Sequence, residues 1–411
     1  MIPVQMESGM ALQKLLLVAP FLLGFLFVPS LRVPPLLAQS HVDTTVVSAQ
    51  NTPLWGDEPT LRETLRIGSL HGPVEESFGS VVAVVPASDG TVLIADEMVP
   101  AVFRFSESGE FLESLGGPGE GPGEFRSITG LDVLPDGSFV LVDSRLSRIS
   151  WLSSDWRELE TRHMAGGIFS IHRIVQVGSD GAVFLYRPLI SRGGEPGERP
   201  WAWLTYPKSE ERVDTLIPPA KDPSDPHYTL QTTDGSRYPF TVETLNWMTP
   251  GGDLVWGRND EYVLNIRKAP DSILQLRRSF ERVPVQGDEW RQWMGISDRM
   301  PRQRARIPNW KPVFRSLWVD MEGRIWLERY VKAVEYSQDE ERPGVRRTEY
   351  RWREPTTFDI LRQDGTLLGS LTLPERTFLA YARGEEVWTV QLGEFEEPYL
   401  VRFLVQPSGS K

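Results

Sequence analysis

The chain has 411 residues, 40% of them hydrophobic and 24% charged, which is the composition of a soluble globular protein with room for one large or two medium domains. A net charge of −12 argues against nucleic acid as a partner of the whole chain, and the absence of cysteine excludes disulfides, thiol chemistry, Cys-zinc sites and a lipidated cysteine anchor. Of the 44 basic residues 37 are arginine, which reads as the coding bias of a GC-rich genome as readily as a preference for anions.

The chain opens on Leu15–Val28, an apolar run of fourteen residues following Lys14. That is the length of a signal-peptide core and short for a membrane span. Residues 1–38 therefore read as a signal peptide, with Met10 as a second candidate start and cleavage near Ala38. The expected location is periplasmic or extracellular, with no stable membrane span in the mature chain. Leu36 is poorly suited to a cleavage site, so an uncleaved anchor running to about Leu31 stays open. Residues 39–58 are polar and unpatterned and read as a linker. Leu61–Ile67 alternates as one strand and stands alone.

A repeat begins at Val81. Val81–Phe111 holds an apolar strand, an Asp-Gly turn, a second strand ending in Asp96, a third strand over Ala101–Ser106 and a turn at Ser108-Gly109. The pattern recurs in Gly116–Ser144, GGPGEGPGEFRSITGLDVLPDGSFVLVDS, where a Gly-Pro-rich loop precedes strands over Ile128–Leu134 and Ser138–Asp143. Glycines at the inner turns fall at Gly90, Gly137, Gly181, Gly252, Gly323 and Gly384, each between two apolar strands, and six hairpins imply six blades. Outer strands follow less regularly. The last blade, ending in Tyr399–Val405, lacks a fourth strand, and the solitary Leu61–Ile67 supplies one. Closure of this kind leaves no sheet edge open where the ring begins and ends.

The GEGPGEF and GLDVLPDGSFVLVDS segments, with the copy at Val81–Phe111, resemble the repeat of NHL-type six-bladed β-propellers. The resemblance covers about residues 78–155 and again 313–328. It implies an all-β, six-bladed β-propeller of four-stranded antiparallel blades over residues 59–406. An N-terminal strand would complete the last blade, a short partly helical insertion would interrupt the ring, and 407–411 would be a tail. It implies an architecture and leaves the function open. Insertions are expected at about 187–200, 281–312 and 332–355, the second with a short helix carrying Trp290, Trp293 and Met294 on one face.

Strand direction puts the six inner-hairpin turns on one face, where they are short and poorly able to build a site. The ends of the second strands and the connections between blades share the opposite face, the mouth. Arg187, Arg258 and Arg329 recur there at intervals of 71 residues, with Arg145 nearby. Together with Trp290 and Trp293 as a lid they suit an anionic small molecule or a peptide. The plainer alternative is that these arginines pair with neighbouring acids and the tryptophans anchor the insertion as core. Asp96 and Asp143 stand where an aspartate can accept hydrogen bonds from the next turn.

No His pair has metal-ligand spacing, and there is no nucleophile elbow, P-loop or dinucleotide fingerprint. The resemblance extends to calcium-dependent lactonases, for which Glu97, Asp143, Asn259 and Asp260 are the candidate ligands. The expectation is an exported, monomeric binding module. A calcium-dependent lactonase-like hydrolase at the same mouth, or a scaffold for another envelope protein, remain as alternatives.

Overall fold

Six tight turns set the repeat. Gly90, Gly137, Gly181, Gly252, Gly323 and Gly384 all have positive φ, between 57° and 85°. A β-carbon is strained there, so glycine takes the sharpest point of each inner hairpin. In three of these turns the preceding aspartate caps the return: Asp89 accepts from the Thr91 amide (3.0 Å), Asp136 from that of Ser138 (2.9 Å) and Asp180 from that of Ala182 (3.0 Å).

The computed structural model describes residues 43–50, 52–164, 175–189, 201–209, 213–219, 239–290, 307–335 and 352–408. These form a six-bladed β-propeller with almost no helix. Blade 1 comprises Val81–Pro86, Val92–Asp96, Ala101–Phe105 and Phe111–Leu115, and blade 2 Ile128–Val133, Phe139–Asp143, Arg148–Leu152 and Glu158–His163. Blade 3 comprises Val175–Val177, Val183–Pro188, Trp201–Tyr206 and Asp214–Leu216. Blade 4 comprises Thr244–Met248, Leu254–Arg258, Val263–Ala269 and Ser272–Arg277. Blade 5 comprises Phe314–Val319, Ile325–Arg329, Thr357–Leu361 and Leu367–Thr372. Blade 6 comprises Thr377–Arg383, Glu386–Leu392, Pro398–Gln406 and, from the other end of the chain, Thr60–Ile67.

The solitary strand closes the ring as its alternation suggested. Thr60–Ile67 pairs antiparallel with Pro398–Gln406, in register from Thr60 opposite Gln406 to Ile67 opposite Leu400. The core is divided into apolar clusters between successive blades, and one of them joins blade 6 to blade 1 through Tyr381, Trp388, Leu400, Phe78, Val84 and Phe103. Trp151, Trp203, Trp326 and Trp388 are fully buried in these clusters. Trp256 and Trp318 are half-buried against them.

The segment read as an unpatterned linker is a correction. Asp43–Ser48 is a strand, added parallel to the outer strand of blade 4. The Gln50 and Trp55 amides then donate to the Gly365 and Leu368 carbonyls of blade 5 (3.0 and 2.7 Å) before the chain enters blade 6. The segment is a strap across three blades. Its strand is mostly exposed and therefore has no apolar period to betray it.

The insertions match in part. Val334–Glu335 pairs with Trp352–Arg353 as the base of a hairpin in the third, while Glu289 and Trp290 are helical where the described residues of the second stop. The signal segment, the loop after Leu189, Trp293, Met294 and the tip of the hairpin lie outside the described residues. Among the described residues no helix is long and apolar enough to cross a membrane.

Candidate functional site

The mouth gathers the ends of the second strands, and at three of them the polar side chain turns back into its own blade. Asp96, 1% exposed, accepts from the Gly79 amide (2.7 Å) and the Met98 amide (2.7 Å). Asp143, fully buried, accepts from those of Arg126 (2.7 Å) and Leu146 (2.9 Å). In blade 4 Asn259 takes the same place, its Oδ1 accepting from the Glu243 amide at 2.7 Å. Each side chain ties the entry of the first strand to the exit of the second, and so satisfies backbone donors that burial would otherwise leave without partners.

This bears directly on the calcium ligands. Asp143 and Asn259 direct their oxygens at amides, Asp260 faces Arg258, and Glu97 is exposed on a blade 1 loop. A hard cation of this kind needs six or more converging oxygens. Among the described residues no three acidic or histidine side chains come together as a metal group. The residues present do not fit calcium, and no chemistry is derived through it.

The arginines likewise stand where the repeat predicts, but they do not converge as free forks. Arg258 grips Asp260 two residues on, through Nε and Nη2 at 2.7 Å each. Arg329 lies 3.6 Å from the buried Asp359, which also accepts from Arg278 (2.8 Å), Tyr262 (2.9 Å) and Ser370 (2.5 Å). Tyr262 and Arg278 belong to blade 4 and Asp359 and Ser370 to blade 5, so this network locks the two together. Burial holds the Tyr262 hydroxyl well above its ordinary pKa, with the Asp359 charge adding to the effect. Arg187 is buried beside Tyr206. Only Arg145, exposed at the end of blade 2, has no partner among the described residues.

Trp290 is 4% exposed and packs with Phe240 and Ile307 against Val285 and Tyr330, so it anchors the insertion and does not cover the mouth. Beside it the Lys311 ammonium, fully buried, donates to Glu289 (2.8 Å), the Val331 carbonyl (2.9 Å) and Glu354 (2.5 Å). Arg315 pairs with the other Glu354 oxygen and lies over the Tyr330 ring at 4.3 Å. Burial lowers the Lys311 pKa while Glu289 works against that shift. The Gly-Pro-rich loop is similarly closed on itself. Glu124 accepts from the Glu120 and Gly121 amides (3.0 and 2.9 Å), and Arg148 donates to the carbonyls of Glu120, Gly121 and Glu124. The Glu120 and Gly121 amides are thereby closed to a phosphate.

The mouth also exposes apolar side chains. Phe378 and Phe395 of blade 6, Leu70 and Val74 of the connection from blade 6 to blade 1, and Met98 and Val99 of blade 1 are all exposed, Met98 and Phe395 by about 70%. Met98 lies over Gly79, where a β-carbon would come within 2.7 Å of its side chain. These side chains follow one arc of the rim. Sequence patterning passes over them because they sit singly in loops and strand ends.

The turn face is less bare than its short turns suggested. A cleft of about 550 Å³ opens there between blades 5 and 6, lined by the turns at Gly323 and Gly384, Arg324, Arg362, Gln363 and Trp55 of the strap. Near the axis on the same side, Asp132 of blade 2 is 9% exposed, and burial pushes its pKa up to about 7. Tyr381 of blade 6 is raised to about 12, by burial first and then by the Asp132 charge. An aspartate inside the apolar run Ile128–Leu134 was the available signal for this site.

A family model described as a 6-bladed beta-propeller matches residues 76–150. No curated protein matches the chain. Among solved structures it is similar to a Bacteroides fragilis protein described as exported, at 11% identity and a TM-score of 0.48, covering 88% of this chain and 99% of that one. It is also similar to a DUF4221 family member from Bacteroides vulgatus, at 12% identity and a TM-score of 0.49, covering 85% and 98%. A gluconolactonase of Xanthomonas campestris matches at 12% identity and a TM-score of 0.39, covering 87% and 98%. None of these similarities bears on the site.

Proposed function

We propose that this chain is an exported binding module, a propeller of the NHL-repeat type, whose mouth engages a peptide or protein segment with apolar anchors. The observation that carries the reading is the exposed apolar arc of blades 6 and 1. Exposed apolar groups set in a polar rim mark interaction surfaces on soluble proteins. Arg145, on the same face and without a partner among the described residues, suits an acidic group in the bound segment. The apolar run after Lys14 supports export, and the Gly-Pro-rich loop with its Asp-Gly hairpin supports the repeat type. The lactonase reading finds no support in the donor set, because Asp143 and Asn259 are committed to backbone amides and Asp260 to Arg258, which leaves the exposed Glu97 alone.

The test is panning of a displayed random peptide library against the full chain. Enriched peptides should carry aromatic or aliphatic anchors. The double variant Met98→Asp with Phe395→Asp should weaken them by about tenfold or more, and Glu322→Gln on the turn face should leave them unchanged. Absence of enrichment, or enrichment indifferent to the rim substitutions, rejects the reading.

A further inference from the structure

The inner strands surround the axis, and near their turn end five successive blades each contribute a side chain. These are Asp132 of blade 2, Gln176 of blade 3, Trp247 of blade 4, Met321 of blade 5 and Tyr381 of blade 6. They are linked in sequence. Trp247 Nε1 donates to Gln176 Oε1 at 3.1 Å, and Gln176 Nε2 lies 3.5 Å from Met321 Sδ. Met321 packs against the cluster that holds Tyr381, which in turn feels the Asp132 charge. Blades 3 and 5 are not neighbours, nor are blades 2 and 6, so these interactions cross the axis.

Asp132 is the unsettled member. It is nine-tenths buried, and its Oδ1 accepts only from the adjacent Val133 amide at 2.8 Å. Its Oδ2 has no hydrogen-bond partner among the described residues. Leu131 and Val133 turn into the cluster between blades 1 and 2, which leaves Asp132 on the opposite face of its strand with Gly130. A buried carboxyl with so little satisfaction is costly unless something else meets it.

We propose that this axial ring is a binding site for an organic ammonium group. One carboxylate supplies the counter-charge, and the Trp247 and Tyr381 rings with the Met321 thioether supply polarisable walls that suit an alkylammonium. A hard divalent cation would need six to eight oxygens. The ring offers few, and Gln176 Oε1 is already engaged by Trp247. The charged groups nearby do not supply the missing cation. Tyr381 faces Arg383 and Asp320, and Asp320 is held by Arg324 at 2.5 Å, while no cation among the described residues is set against Asp132 itself. With its pKa near 7, Asp132 is partly protonated at neutral pH, so an arriving ammonium ionises it and a proton leaves to solvent.

The experiment is calorimetric titration of the full chain with n-butylammonium and with tetramethylammonium near pH 7, in two buffers of different ionisation heat. The expected result is saturable binding with proton release. Asp132→Asn keeps the side chain's size and its acceptor for Val133, and it should lower affinity by about tenfold or more and abolish the release. Should that variant fail to melt cooperatively, the unmodified chain at about pH 9 decides, since Asp132 is then already ionised and binding should proceed without a proton. Absence of saturable heat, an equal response to sodium, unchanged binding by Asp132→Asn, or undiminished proton release at the higher pH overturns the proposal.

Discussion

The mouth and the axis of this propeller treat buried charge in opposite ways. At the mouth each buried charge is answered: Asp96 and Asp143 by backbone amides, Lys311 by two carboxylates and a carbonyl, Asp359 by Arg278, Tyr262 and Ser370. At the axis Asp132 has one amide from its own strand and no other hydrogen-bond partner among the described residues. The lesson is that charge at a propeller mouth is poor evidence of a site when each charge has a local partner. One incompletely satisfied carboxyl is the better pointer.

The comparison can be broken at several points. Deleting residues 59–69 removes the closing strand of blade 6, and the product should be insoluble or fail to melt cooperatively; a soluble product with one sharp transition would count against the closure seen here. Lys311→Met should cost about 3–5 kcal/mol in chemical denaturation, because Glu289 would stay buried without its cation and Glu354 would keep Arg315 alone. A much smaller loss would mean that the insertion opens and lets water reach them.

Asp132→Asn tests the opposite regime. The folded chain holds the Asp132 proton up to about pH 7, against 3.8 for its ordinary value, so its contribution makes stability fall as pH rises across that window. The asparagine variant should flatten this part of the profile and gain up to about 4 kcal/mol above pH 7, with no gain below about pH 4. A parallel pair of pH–stability curves would show that Asp132 ionises without cost. Asp143→Ala should cost about 2 kcal/mol by stranding the Arg126 and Leu146 amides, with local amide exchange rising first at those two positions. Arg258→Ala should change stability by less than about 1 kcal/mol, since its pair with Asp260 is about a third exposed. A larger loss there would give the mouth arginine a role beyond its pair with Asp260.

The architecture was legible because its signals are local. Glycine at Gly90 or Gly137 is demanded by one backbone angle, and the alternating Leu61–Ile67 declares a half-buried strand wherever it docks. The strap was not legible, because Asp43–Ser48 lies on an outer edge with little burial and earns its place through backbone bonds that any sequence can make. At the site, residue type misled. The spacing of Arg187, Arg258 and Arg329 correctly marks equivalent places in three blades, yet what each touches depends on Tyr206, Asp260 and Asp359, at unrelated distances along the chain. Asp132 was visible as an acid within an apolar run. Its importance rests on Tyr381, four blades further on, which no local pattern connects to it.

The closing strand also orders events in time. Thr64 meets Arg402 across 338 residues of chain, so the first strand of the ring to leave a ribosome or a translocation pore waits for the last. Until Pro398–Gln406 emerges, blade 6 does not exist and Thr60–Ile67 has no partner. Contacts this distant fold slowly and leave strand edges open meanwhile. With no cysteine to hold an intermediate, the nascent chain depends throughout that interval on escort or on speed.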